Sequence, residues 1–142
     1  MNLCTRRIEF DYAHRLLGHS GKCSNLHGHR AAVEVTISST DGLDAIGRVI
    51  DFGTIKRSFG AWIDSMLDHA CIIAMEDAAL RDFLLSQKSK YYELPPGMAP
   101  TAEHLAHHLF DAAVQTFAGC PRLQVVKVRF FETPTSYAEW IA

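Results

Sequence analysis

The first regular pattern along the chain is an alternation. Ile8, Phe10, Tyr12 and His14 share one parity and Arg7, Glu9, Asp11 and Ala13 the other, as in a strand with one buried face. Leu16–Asn25 breaks this pattern with Gly18, Ser20, Gly21, Lys22, Ser24 and Asn25, a loop composition. The alternation resumes at His27, His29, Ala31, Val33, Val35 and Ile37, with Arg30, Glu34 and Thr36 on the other face, and predicts a second strand. Ser38–Gly47 is turn-rich around Asp41-Gly42, so Arg48–Phe52 reads as a third strand in a hairpin with the second.

The period then changes. Ile55, Phe59, Trp62, Ile63, Met66 and Leu67 recur at helical spacing and predict a helix of about four turns. A shorter helix over Glu76–Ser86 runs through Leu80, Phe83 and Leu84, and Pro95-Pro96-Gly97 interrupts the chain. From Thr101, the residues Leu105, Ala106, Leu109, Phe110, Ala113, Val114 and Phe117 mark a second amphipathic helix, stopped by Gly119 with Pro121 after it. Leu123–Glu132 is a last long strand. Strands and helices are segregated along the chain, which predicts an α+β fold with an antiparallel sheet backed by helices. No repeat or linker divides the 142 residues, so 1–142 is expected to be one domain.

Composition narrows the function classes. Hydrophobic residues are 48% and charged residues 21%, a globular balance and not a disordered one. Lys plus Arg is 14 and Asp plus Glu 16, a formal charge of −2. Arg6-Arg7 and Lys88–Lys90 are too short to make a basic stripe, so no nucleic-acid partner is expected. No apolar run approaches the ~20 residues of a membrane span, Ala70–Met75 being the nearest, and Met1–Tyr12 lacks the apolar stretch of a secretory leader. The 4 cysteines form no CxxC pair, and a domain of this size needs no disulfide staples. The expected location is the reducing cytoplasm.

The candidate chemistry lies among 8 histidines. His27 and His29 project from one face of the second strand, with Gly28 keeping the backbone between them slim. His14 ends the same face of the first strand. If these strands pair antiparallel, three imidazoles converge, and three histidines with one place left open is the donor set of a catalytic zinc site. The competing reading is three half-buried histidines satisfied by backbone carbonyls. Cys23 lies in a polar loop beside Lys22, whose charge favours the thiolate. It is a reactive base or nucleophile, an incidental surface thiol or, through Cys23-x-x-x-His27, a fourth ligand. Asp68-His69 is either a charge-assisted pair that raises imidazole basicity or the end of the first helix. Glu132 ends an apolar face and must find a partner there, a ligand's guanidine-like edge or an arginine. Thr101 can cap the long helix, and Glu103 is favoured by the helix dipole. His104 and His108 stand at i, i+4 without an HExxH motif and are expected on a solvated face.

Together these pieces resemble the 6-pyruvoyl-tetrahydropterin synthase / 6-carboxytetrahydropterin synthase family. The resemblance rests on Phe10-Asp11-Tyr12-Ala13-His14-Arg15-Leu16, Lys22-Cys23-Ser24-Asn25-Leu26-His27-Gly28-His29, Val49-Ile50-Asp51-Phe52 and Leu67-Asp68-His69. Pro100-Thr101-Ala102-Glu103 and Phe131-Glu132-Thr133-Pro134-Thr135-Ser136-Tyr137-Ala138 complete it. It implies a tunnelling fold, in which a four-stranded antiparallel sheet carries helices on one face. Subunits of that fold close barrels as trimers, and two trimers stack into a homohexamer. It also implies Zn2+ held by His14, His27 and His29, with Cys23 as catalytic thiol and Asp68 and His69 as its acid/base partners. Glu132 would anchor a pterin ring, with Thr101 and Glu103 nearby. The implied substrate is 7,8-dihydroneopterin triphosphate. The implied product is 6-carboxy-5,6,7,8-tetrahydropterin, with acetaldehyde and triphosphate released, toward queuosine. The alternatives are 6-pyruvoyltetrahydropterin, toward biopterin, and a non-catalytic zinc- or pterin-binding relative.

Overall fold

The computed structural model describes residues 1–142. Its centre is a pair of long antiparallel strands, β1 (Cys4–His14) and β2 (His27–Ser39), in register from Cys4 opposite Ile37 to His14 opposite His27. The expected alternation holds, because Phe10, Tyr12 and His14 are buried on the face that β2 shares through Ala31, Val33, Val35 and Ile37. On the far side of β2 lies β5 (Leu123–Thr133), antiparallel, followed by β6 (Ser136–Ile141). A bulge opposite Thr36 and Ile37 shifts the parity of β5. It buries Val125 with Val128 and Phe130, and leaves Val126 only partly covered.

Arg48–Phe52 is not a strand. The Asp51 carboxylate accepts from Gly53 N at 2.6 Å and Thr54 N at 3.3 Å, which starts a helix there. Val49 is buried from a loop held by Arg122, which donates to its carbonyl at 2.9 Å. No hairpin therefore links β2 to this segment. The first helix runs as α1 (Phe52–Ile55), a π-helical stretch (Lys56–Gly60) and α2 (Ala61–Met66). Its apolar positions Ile55, Phe59 and Ile63 are fully buried, each worth roughly 1.5–3 kcal/mol of transfer free energy.

With β3 (Ala70–Ile73) and β4 (Tyr91–Glu93) the sheet has six strands, in the order β4-β3-β1-β2-β5-β6, and is mixed, not four-stranded and antiparallel. β1, β2, β5 and β6 form the antiparallel part. β3 and β4 add two parallel strands at one side. Helix α4 (Ala102–Phe117) packs on β5 and β6, and its Leu105, Leu109 and Ala113 share a core with Phe10, Val33, Val128 and Phe130. Helix α3 (Ala78–Ser86) lies on the opposite face, where Leu80 and Leu84 meet Cys71 and Ile73 while Ile72 joins the main core. Helices therefore do not all lie on one face. Asp77 ties α3 to β1, accepting from Leu80 N at its own helix start and pairing with Arg15 at 2.6 and 2.7 Å. All four cysteines are free, and no helix is long and apolar enough to cross a membrane.

Candidate active site

The register of β1 and β2 decides the site. It sets His14 opposite His27 and Tyr12 opposite His29, so the three imidazoles crowd onto one end of the inner face. A methyl on Gly28 would lie 3.3 Å from the Tyr12 carbonyl oxygen, closer than ordinary van der Waals contact, so glycine keeps the two strands tight at this point. One nitrogen from each of His14, His27 and His29 lies within 4.8 Å of the others.

The hydrogen bonds fix the tautomers. His14 Nδ1 is 2.7 Å from the Pro100 carbonyl and His27 Nδ1 is 2.6 Å from the Asn25 carbonyl. A carbonyl only accepts, so both protons sit on Nδ1, and in the neutral rings both Nε2 atoms present bare lone pairs. Those two lone pairs face each other at 3.2 Å. His29 Nε2 is buried with no partner, and Glu132 Oε1 stands 3.4 Å from His14 Nε2 and 3.6 Å from His29 Nε2. The lone pairs of His14 and His27 and the Glu132 carboxylate converge here beside His29 Nε2, an arrangement that a cation would satisfy. Zinc–nitrogen bonds of roughly 2.0–2.1 Å in a tetrahedron give an edge of about 3.3 Å, which matches these separations. Burial, chiefly, pushes the pKa of His14 and of His29 down, which keeps the rings neutral and able to bind a metal.

Glu132 thus reaches the histidine group, and no arginine answers it. Below them lies Tyr12, with its ring 5.0 Å from that of His14 and its hydroxyl buried without a partner. Burial and then the Glu132 charge push the phenol pKa up. The sequence pattern placed Tyr12 on the right face but gave no chemical signal for it.

Asp68 and His69 form a second, separate group. His69 Nδ1 is 2.8 Å from Asp68 Oδ2, and Asp68 Oδ1 accepts from Asp11 N at 3.0 Å. That backbone donor, foremost, holds the Asp68 carboxyl below its usual range. His69 sits at φ 59° in the left-handed region, just past α2, with its own N–H on the Asp11 carbonyl at 2.8 Å. Both open readings of this dipeptide are realised, as helix end and as carboxylate–imidazole pair. His69 and Asp11 line a pocket of about 320 Å³ with Leu26, Cys71, Ser89 and Lys90.

The remaining candidates stand apart within one subunit. Cys23 lies on a 3-10 turn, Lys22–Ser24, and its sulfur is not among the ligand atoms gathered at the histidines. Thr101 is the cap of α4, accepting from His104 N at 3.3 Å, and Glu103 is exposed in the first turn. The same loop supplies the Pro100 carbonyl to His14. His104 and His108 do not form a free solvated face. His108 Nε2 bonds the Tyr92 hydroxyl at 2.7 Å, and His104 Nδ1 contacts the Ala99 backbone.

The family model of 6-pyruvoyl tetrahydropterin synthase matches residues 3–141. The chain belongs to that family. A protein of Rickettsia bellii named 6-carboxy-5,6,7,8-tetrahydropterin synthase is 39% identical over 137 residues, covering 96% of this chain and 97% of that protein. One of Haemophilus influenzae with the same name is 32% identical over 141 residues, covering 96% of each. Among solved structures, a 6-pyruvoyltetrahydropterin synthase of Plasmodium vivax, a catalytic-residue mutant, superposes with a TM-score of 0.71 at 19% identity over 99% of this chain and 98% of that one. An uncharacterized protein of Wolinella succinogenes reaches 0.82 at 23% identity, over 99% and 97%. At these identities the two structures speak for the fold.

Proposed function

We propose that the chain is a zinc-dependent 6-carboxy-5,6,7,8-tetrahydropterin synthase, a lyase acting on 7,8-dihydroneopterin triphosphate. The observation that carries this is the meeting of imidazole nitrogens from His14, His27 and His29 beside Glu132. The names of the full-length relatives point the reading to the carboxy product. Zinc held by the three histidines would supply Lewis-acid polarisation of the oxygens on the substrate's side chain.

The chain's own groups divide the remaining work. Glu132 accepts from the amino-pyrimidine edge of the pterin and fixes the ring. Cys23, on the turn before β2, takes a carbon-bound proton from the side chain as the general base. His69 moves protons, with Asp68 holding its Nδ1 proton so that Nε2 is the exchanging atom. Thr101 and Glu103 flank the ring from the start of α4. Incubating the pure protein with dihydroneopterin triphosphate and identifying the product by mass tests the reading. The expected product is 6-carboxytetrahydropterin with acetaldehyde. 6-Pyruvoyltetrahydropterin would show the other family outcome, and no turnover would leave a binding protein.

The separation of the histidine group from the Asp68–His69 pair supports an assembled site, a homohexamer built as a dimer of trimers in the cytoplasm. Two sheet edges are open. β6 has no outer neighbour and exposes Tyr137, Trp140 and Ile141, and β1 meets β3 only at Tyr12 and Ala13, leaving Cys4–Phe10 without a strand partner on that side. Open edges of this length are normally covered. Light scattering at micromolar concentration should give six chains. A monomer with intact activity refutes the assembly.

A further inference from the structure

Two buried side-chain polar atoms have no hydrogen-bond partner, His29 Nε2 and the Tyr12 hydroxyl. A cation among the histidines accounts for the first. It does not account for the second, because a phenol O–H needs an acceptor when it leaves water. Tyr12 is 3% exposed. Its ring reaches across β2, where Ala31 carries only a methyl, to lie 5.7 Å from Phe130, two residues before Glu132. It also lies 5.7 Å from His29, its partner in register. Glu132 is the carboxylate that flanks His14 and His29, whose rings lie 5.0 and 5.7 Å from that of Tyr12. That carboxylate has a second attraction, since its Oε1 stands beside two histidine nitrogens, where a fourth metal ligand would be.

We propose that Tyr12 is a positioning residue for Glu132: its buried hydroxyl donates to the carboxylate, draws it off the histidine nitrogens and leaves the place beside them to substrate. This rests on the reading of the three histidines as a zinc centre and of Glu132 as the ring anchor. A carboxylate left free beside three imidazoles becomes a metal ligand. Tyr12 gives it another partner, and the same carboxylate can then face a pterin.

The test measures zinc affinity directly. Metal-free wild type, Tyr12→Phe, Glu132→Gln and the double variant are titrated with zinc against a chromophoric chelator. Tyr12→Phe should bind zinc roughly tenfold more tightly, an effect of the size outer-shell partners exert, because Glu132 is released to ligate. The gain should vanish in the Glu132→Gln background. Neopterin affinity, followed by ring fluorescence, should fall about tenfold in Tyr12→Phe. A purely structural tyrosine would instead weaken zinc binding. Zinc affinity at or below that of wild type in Tyr12→Phe overturns the proposal, as does a gain that persists without Glu132. If the zinc results hold but Glu132→Gln leaves neopterin affinity unchanged, the ring-anchor reading falls and the positioning of the carboxylate stands. Wild type that takes up no zinc overturns both.

Discussion

Replacing His27 and His29 together with alanine should remove nearly all zinc, from about one ion per chain to a trace, and abolish turnover. The argument is one of donor count. The site offers three imidazole nitrogens, two of them with tautomers set by the carbonyls of Pro100 and Asn25. His14 alone, even helped by Glu132, leaves too few donors to hold a metal against water. The fold should survive. The main core is built from Phe10, Val33, Val35, Phe59, Leu109, Val128 and Phe130, and neither replaced histidine belongs to it. His29 also carries a buried nitrogen without a partner, so its loss costs the metal-free protein no hydrogen bond. Metal analysis and circular dichroism on the same sample decide the matter. Full zinc occupancy in the double variant sinks the metal assignment.

The convergence of the histidines could be read from the chain because it needs only two facts, strand periodicity and antiparallel pairing across the Leu16–Asn25 loop. Parity put His14, His27 and His29 on one face, and β1–β2 pairing set them at one end of it. The helices were equally visible, since Asp77 and Thr101 act at or near expected starts and Phe117 lies close to Gly119, while the first helix begins earlier than its periodicity from Ile55 implies. Three strands were not. β3 is a four-residue apolar run buried on both faces, so it shows no alternation. β4 has three residues, below any periodic signal. β6 is an exposed edge after the Pro134-Thr135 turn, mixing Trp140 and Glu139 with no buried face. The third strand expected at Arg48–Phe52 failed because Val49 and Ile50 suggest a strand, while the Asp51 carboxylate commits the next residues to a helix. Tyr12 was missed because a lone tyrosine in a strand is ordinary; only its unpartnered hydroxyl beside Glu132 distinguishes it.

Cys23→Ala and Glu132→Ala should fail in different ways. Cys23 is on a 3-10 turn with its sulfur outside the histidine group, so its loss should leave zinc content unchanged. Substrate should still bind, because the ring contacts are elsewhere. Turnover should fall by ~10²–10⁴, the usual cost of removing a general base. Weakened zinc binding in Cys23→Ala would make it a ligand instead. Glu132→Ala removes an acceptor facing a multi-donor edge, a charged hydrogen bond worth about 1.5–3 kcal/mol, so pterin affinity should drop roughly tenfold to a hundredfold. Zinc should remain, because the three imidazoles are untouched. The contrast follows from where each group stands, Glu132 beside the histidines on the end of β5 and Cys23 on the loop that leads into β2. Zinc content, pterin affinity and single-turnover rate measured on both variants separate the roles. Retained turnover in Cys23→Ala removes the thiol from the chemistry. Unchanged pterin affinity in Glu132→Ala removes the carboxylate from ring recognition.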